Sequence, residues 1–181
     1  AFTALGVDYT PAYAQAYDSD FVSMIHYQNV GSSDATITLT LIDASGGVTD
    51  YNLTTLAPNG ATSIYAGTLT GTTGFKGSAT LSSSQPLATT VAQIGTGDVK
   101  NQPLSNGFTQ GSSSVLIPTV LKNMYFFNSV FSVQNVDDGP ADLTMTFVNV
   151  FGGTQTVNVD ALEVGAAHYV DMGVYPAITA S

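Results

Sequence analysis

The chain has no cysteine, no arginine and no tryptophan, and only 9% of its 181 residues are charged. Without cysteine, disulfides and thiol chemistry are excluded, and an external oxidant finds no thiol to attack. Three lysines (Lys76, Lys100 and Lys122) face thirteen acidic side chains, and the net charge is −10. Such a surface neutralises no phosphate, so nucleic acid is excluded as a partner. The same balance opposes anionic lipid, and no apolar run is long enough for a bilayer span, so membrane insertion is not expected. Soluble domains usually carry about a quarter charged residues. Here Thr, Ser, Asn and Gly supply the polar surface, which suits a protein that lies in close contact with copies of itself. The chain begins at Ala1 rather than Met, which reads as the mature form of a secreted protein whose leader has been removed. The expected location is extracellular, at the cell surface.

What is present is a repeat. Phe21 aligns with Phe127, and the offset of 106 holds without a gap over 21–67 and 127–173. Gln28-Asn29-Val30 recurs as Gln134-Asn135-Val136, Thr38 and Thr40 as Thr144 and Thr146, Gly46-Gly47 as Gly152-Gly153, and Leu56 as Leu162. Internal duplication follows. Within each copy the period is two. Thr36–Leu41 alternates Thr with Ile and Leu, and Leu143–Phe147 repeats the pattern, as strands with one buried face do. Further strands are expected at Ser23–Gln28, Val48–Leu53, Ala61–Tyr65, Gly77–Ser82 and Leu87–Ile94. The second copy supplies Ser129–Gln134, Thr154–Val159 and Ala167–Asp171. The glycine pairs provide the positive φ of tight hairpins. No segment has helical periodicity.

The expected fold is all-β: tandem antiparallel sandwiches, a first unit over 1–110 and a second over 111–181, with 95–114 as linker or crossover. A rival packing merges both copies into one continuous sandwich with 68–114 at its edge. After the first copy the chain runs on through two more strands. After the second, only Val174–Ser181 remains. The second sandwich is therefore expected to be short of its closing strands within the chain.

Few side chains suggest chemistry. No Ser lies in a Gly-x-Ser-x-Gly turn, no His–Asp partner stands out, and a single Glu (Glu163) leaves no marked carboxylate pair, so no enzymatic activity or catalytic residue is expected. His26 and His168 have no His or Cys nearby in sequence, and no metal or other cofactor is expected. Asp18 and Asp20, and Asp137, Asp138 and Asp142, are turn residues whose oxygens suit calcium, but their spacing matches no EF-hand loop. Asn52-Leu53-Thr54 is a glycosylation sequon, used only if the source glycosylates Asn. Lys122 beside Asn123 raises an isopeptide cross-link, to be read from the intact mass. Aromatics carry more weight: Met124-Tyr125-Phe126-Phe127 cannot all point inward from a strand, so Tyr125 and Phe126 are expected to cover another domain or subunit.

A sandwich with an open edge exposes unpaired backbone groups and an apolar groove, which a strand from a neighbour can cover. Residues 1–11 suit that role, since Thr3, Leu5, Val7 and Tyr9 alternate with Ala4, Gly6 and Asp8. The succession of Pro, Gln-Asn-Val, Gly-Gly, Gly-Ser-Ala-Thr-Leu and Ser-Gln-Pro-Leu-Ala resembles the immunoglobulin-like tandem repeats of secreted bacterial surface proteins. The resemblance implies cell-surface and adhesive roles, and strand exchange of this kind is similar to donor-strand complementation in pilus and biofilm-fibre subunits. The lack of cysteine departs from chaperone–usher pilins. The expected function is a secreted subunit that polymerises with itself, head to tail, into an extracellular filament. The alternative is a monomeric adhesin or carbohydrate-binding module that uses exposed aromatics to hold surface glycans or other cells. A sheet-like surface layer is a third expectation.

Overall fold

A computed structural model describes residues 2–5, 8–9, 21–43, 45–69, 75, 77–95, 104–124, 127–173, 175 and 178. The described fold is all-β, with antiparallel pairing throughout and one short 3-10 turn at Ala66–Thr68. Two sheets face each other in the first unit. One has the order β1 (Phe2–Leu5), β7 (Gly77–Ser83), β4 (Ile37–Asp43), β5 (Val48–Asn52). The other runs β2 (Asp8–Tyr9), β3 (Phe21–Asn29), β8 (Leu87–Gly95), β9 (Leu104–Asn106), with β6 (Ala61–Tyr65) also on β3. Inward residues of both sheets form one core: Ile25, Tyr27, Ile64, Leu87 and Val91 meet Ile37, Leu39, Leu41, Ala79 and Leu81. The alternation of Thr with Leu and Ile in β4 explains this, because successive side chains of a strand point to opposite faces.

The second unit contains two ribbons. β10 (Val130–Gln134) pairs with β13 (Ala167–Asp171), and β11 (Ala141–Val148) pairs with β12 (Thr154–Leu162). Met145, Val170, Met172 and Ile178 are buried between them, with half-buried Phe131, Val133, Leu143, Phe147, Val157 and Val159 around. No strand of one copy pairs with a strand of the other among the described residues.

Sequence duplication becomes duplication of register. Met24 faces Tyr65 and Gln28 faces Ala61, and at the matching positions Val130 faces Asp171 and Gln134 faces Ala167. Thr38 faces Asn52 as Thr144 faces Asn158, and in each pair the Thr hydroxyl donates to the Asn Oδ1, at 3.3 and 3.1 Å. The hairpin turns match too, with Gly46 and Gly152 at φ of 85° and 83°. Asp43 Oδ1 accepts the Ser45 and Gly47 amides, and Asn149 Oδ1 accepts those of Phe151 and Gly153.

A thin seam joins the units. Ile42 on the outer face of the first packs with Leu162 and Ala166 of the second, and the buried Ser78 hydroxyl donates to the Gly165 carbonyl. Gly165 takes the place of Asn59; both have positive φ, 76° and 61°. A Cβ at Gly165 would come within 2.2 Å of Ile42 Cδ1, so this copy of the turn is glycine. The segment expected as a linker contains β9, which pairs with β8. Three residues are too few for alternation to register in the sequence.

Candidate functional site

The repeated Gln-Asn-Val motif is built around its asparagine. Asn29 and Asn135 are 0% and 6% exposed, at the inner ends of β3 and β10. Asn29 Nδ2 donates to the carbonyls of Ser33 and Leu56, at 2.8 and 2.9 Å, while its Oδ1 accepts the Gly31 amide. Asn135 does the same with Gly139, Leu162 and Asp137, each at 2.9 Å. One side chain thus ties its own turn to a loop 27 residues further along the chain, and satisfies backbone groups that burial would otherwise orphan. The sequence marks this residue by repeating it, but its partners are visible only in three dimensions.

With each copy held in the same frame, the missing partners can be located. In the first unit β7 lies along β4, from Ile37 opposite Ser83 to Asp43 opposite Gly77. β8 lies along β3, from Phe21 opposite Gly95 to Asn29 opposite Leu87. Among the described residues, no strand takes either position on β11 or β10. Both open edges border the same core, one on each sheet. Their inward side chains record the difference: Ile25, Tyr27, Ile37 and Leu41 are buried, whereas Phe131, Val133, Leu143 and Phe147 at the same positions are half-exposed.

Described residues after β13 close part of this core. Ile178 is buried there and Tyr175 packs beside it. Lys122 Nζ donates to the carbonyls of Met172 and Tyr175, at 2.6 and 3.2 Å. That amine is therefore engaged with backbone oxygens, while the Asn123 amide donates to Asn128 Oδ1. The His168 ring lies 2.9 Å from the Tyr175 hydroxyl through Nε2, edge-on to its ring. Desolvation by burial holds the His168 imidazole below its ordinary range and pushes the Tyr175 phenol up.

The proposed donor segment has a seat in its own first unit. β1 pairs with β7, and β2 pairs with β3, so the two short strands lie on different sheets. The register sets Phe2 and Ala4 opposite the core residues Leu81 and Ala79, and Thr3 and Leu5 opposite Thr80 and Ser78. Tyr9 stands opposite Phe21. Val7, Tyr125, Phe126, Asp18 and Asp20 lie outside the described residues. Met124 and Phe127, which flank two of these residues in sequence, form an isolated bridge with each other, and Phe127 is exposed. Asn52 ends β5, exposed at the margin of its sheet.

The remaining polar candidates are occupied locally. Asp137 accepts the Asp138 amide, and Asp142 accepts the Ala161 amide where β12 bulges. Among the described residues no three His, Asp or Glu side chains gather as a metal set. On the outer face of β6, β3, β8 and β9, the residues Ser63, His26, Thr90 and Asn106 stand in one cross-strand row. His26 Nδ1 lies 3.0 Å from Ser63 Oγ. The row floors a shallow depression of about 660 Å³ that no charged side chain lines. No family model matches the chain, and no curated protein or solved structure matches it either.

Proposed function

We propose that this chain is a secreted structural subunit that assembles head to tail into an extracellular filament. The observation that carries the reading is the pair of open edges. β10 and β11 repeat β3 and β4 in pairing and register but, among the described residues, lack the neighbours that β8 and β7 supply. Unpaired N–H and C=O groups along such edges favour strand addition. An arriving strand also buries Phe131, Val133, Leu143 and Phe147 further, each able to contribute about 1–2 kcal/mol.

The donor is the N-terminal strand of a neighbouring copy, with Thr3, Leu5, Val7 and Tyr9 along it and Tyr125 and Phe126 covering the contact. Two features support this donor. The open edges lie on opposite sheets, and β1 and β2 already lie on different sheets at home. β1 also sits at the margin of its sheet, so one ladder holds it. A shift of one residue between home and host exchanges the face that points inward. A strand passed in the same sense from copy to copy makes a heterologous contact, and such contacts build open filaments. The immunoglobulin-like resemblance and the low-charge surface agree with an extracellular setting.

Deleting residues 1–11 tests this reading. Electron microscopy of the full chain is expected to reveal filaments, and the deletion variant none. A full chain that stays a small monodisperse particle at high concentration overturns it. The uncharged row of Ser63, His26, Thr90 and Asn106 favours a second reading, a monomeric module that binds neutral surface glycans. That module folds and binds normally without residues 1–11.

A further inference from the structure

The two hairpin turns of the repeat have the same backbone but different surroundings. At the first, β4 leads through Asp43 and Ser45 to Gly46, and the second unit rests against it. A Cβ built on Gly46 would meet Glu163 Cβ at 3.1 Å, while Ile42 packs on Leu162 and Ala166. At the second, nothing lies within 4 Å of the matching point on Gly152.

The side chains change in the direction opposite to that exposure. The first turn reads Ile42-Asp43-Ala44-Ser45, and the second reads Val148-Asn149-Val150-Phe151. Val150 is 91% exposed and Phe151 86%, with Val148 exposed beside them. The turn is not a loose loop, because Asn149 Oδ1 fixes the Phe151 and Gly153 amides at 2.9 Å each. Two large apolar side chains are thus held out on a rigid tip, where the covered copy of the turn has Ala and Ser. A surface like this marks an interaction site.

We infer that the β11–β12 tip, through Val148, Val150 and Phe151, is a docking surface for the first unit of a second copy of this chain. The inference rests on the assembly reading above and extends it to a second contact, distinct from strand exchange. The partner is identified by the repeat itself. Inside the chain, the unit that follows covers Ile42 and the first tip; in a head-to-tail row, the unit that follows the second tip belongs to the next copy. Charge agrees. The tip carries none, and a chain of net charge −10 gains nothing from an anionic lipid surface at the same place.

The test is the double variant Val150→Ala with Phe151→Ser, which installs the residues of the first copy and so keeps a turn this fold already tolerates. Its thermal unfolding as a dilute monomer is expected to match that of the unaltered chain. Its critical concentration for assembly is expected to rise at least about tenfold, since two apolar side chains no longer become buried. If the double variant loses its fold, Phe151→Ser alone gives the same readout. Because the chain has no cysteine, Phe151→Cys labelled with an environment-sensitive dye adds a direct probe, and its emission is expected to shift to the blue on assembly. Unchanged critical concentration and emission overturn the inference while filaments that depend on residues 1–11 leave the assembly reading standing. A full chain that never assembles overturns both.

Discussion

Leu39 and Met145 hold the same position in the two copies, on matching strands paired in the same register. Leu39 sits under β7 and a facing sheet whose β3 is flanked on both edges. Met145 has β12 on one side and, among the described residues, no strand on the other, and its neighbours Leu143 and Phe147 remain half-exposed. Local structure is therefore specified by the repeat alone. Turn chemistry, the buried asparagine and the Thr–Asn pairs suffice to set two strands side by side, whether or not a third arrives. Burial is not specified locally, because it depends on strands that come from elsewhere. The first unit has both its frame and its cover, and the second has its frame.

Three kinds of test sharpen that contrast, and the largest effect belongs to the frame. Asn29→Ala and Asn135→Ala each orphan buried carbonyls and an amide, at a cost of about 3 kcal/mol. The first unit is expected to survive with a lowered melting temperature. The second, with less core, is expected to unfold. Hydrogen exchange of the β3 and β10 amides reads the two separately, and equal loss of protection would break the contrast.

The cover is probed by Leu39→Ala and Met145→Ala. The first is expected to cost about 4 kcal/mol in urea denaturation of the dilute protein. The second is expected to cost about half as much, because Met145 is buried among half-exposed neighbours such as Leu143 and Phe147, so less packing is lost there. In assembled protein the gap should narrow. Equal costs in the dilute chain would mean that the second core is already filled.

The smallest effects come from pH. His168 is held below its ordinary value by burial, so the unfolded chain takes up the proton first. The stability of the second unit is complete above pH 6.5, the ordinary histidine value, and declines as pH falls through it towards the folded value. His168→Phe should flatten that slope. In the first unit the exposed Asp43 carboxyl is lowered by the Ser45 hydroxyl and then by the Gly47 and Ser45 amides. Its contribution is present above pH 3.8 and is lost as pH falls through the folded value. Asn149 does the same work without titrating, so strong acid weakens only the first turn.

Alternation and turn residues were enough to place most strands within a residue or two. Ala61–Tyr65 and Ala167–Asp171 coincide with β6 and β13, because each is a short run bounded by a turn. The gapless offset of the repeat also implied equal registers, since a one-residue slip would turn every inward side chain outward. Three features were not legible. Asn29 and Asn135 look like any turn-flanking asparagine until a loop 27 residues further on reaches them. β9 is too short to show a period. The home of β1 on β7 depends on a pairing nearly eighty residues long in sequence, which no local pattern encodes. The same limit hid the seam, where Gly165 is explained only by Ile42.

That seam has a mechanical consequence. Among the described residues it rests on Ile42, Leu162 and Ala166, the Ser78–Gly165 bond and Glu163 beside Gly46, less than either unit uses to hold itself together, and units joined by so small a contact are free to part. Pulled between its two units, the molecule is expected to yield first at Ile42, Leu162 and Ala166, gaining length while the ladders within each unit stay paired. Force on a tethered chain is then absorbed by a reversible joint that recloses when the load is released. In a force–extension trace this joint is a small, low-force step that precedes the loss of any strand.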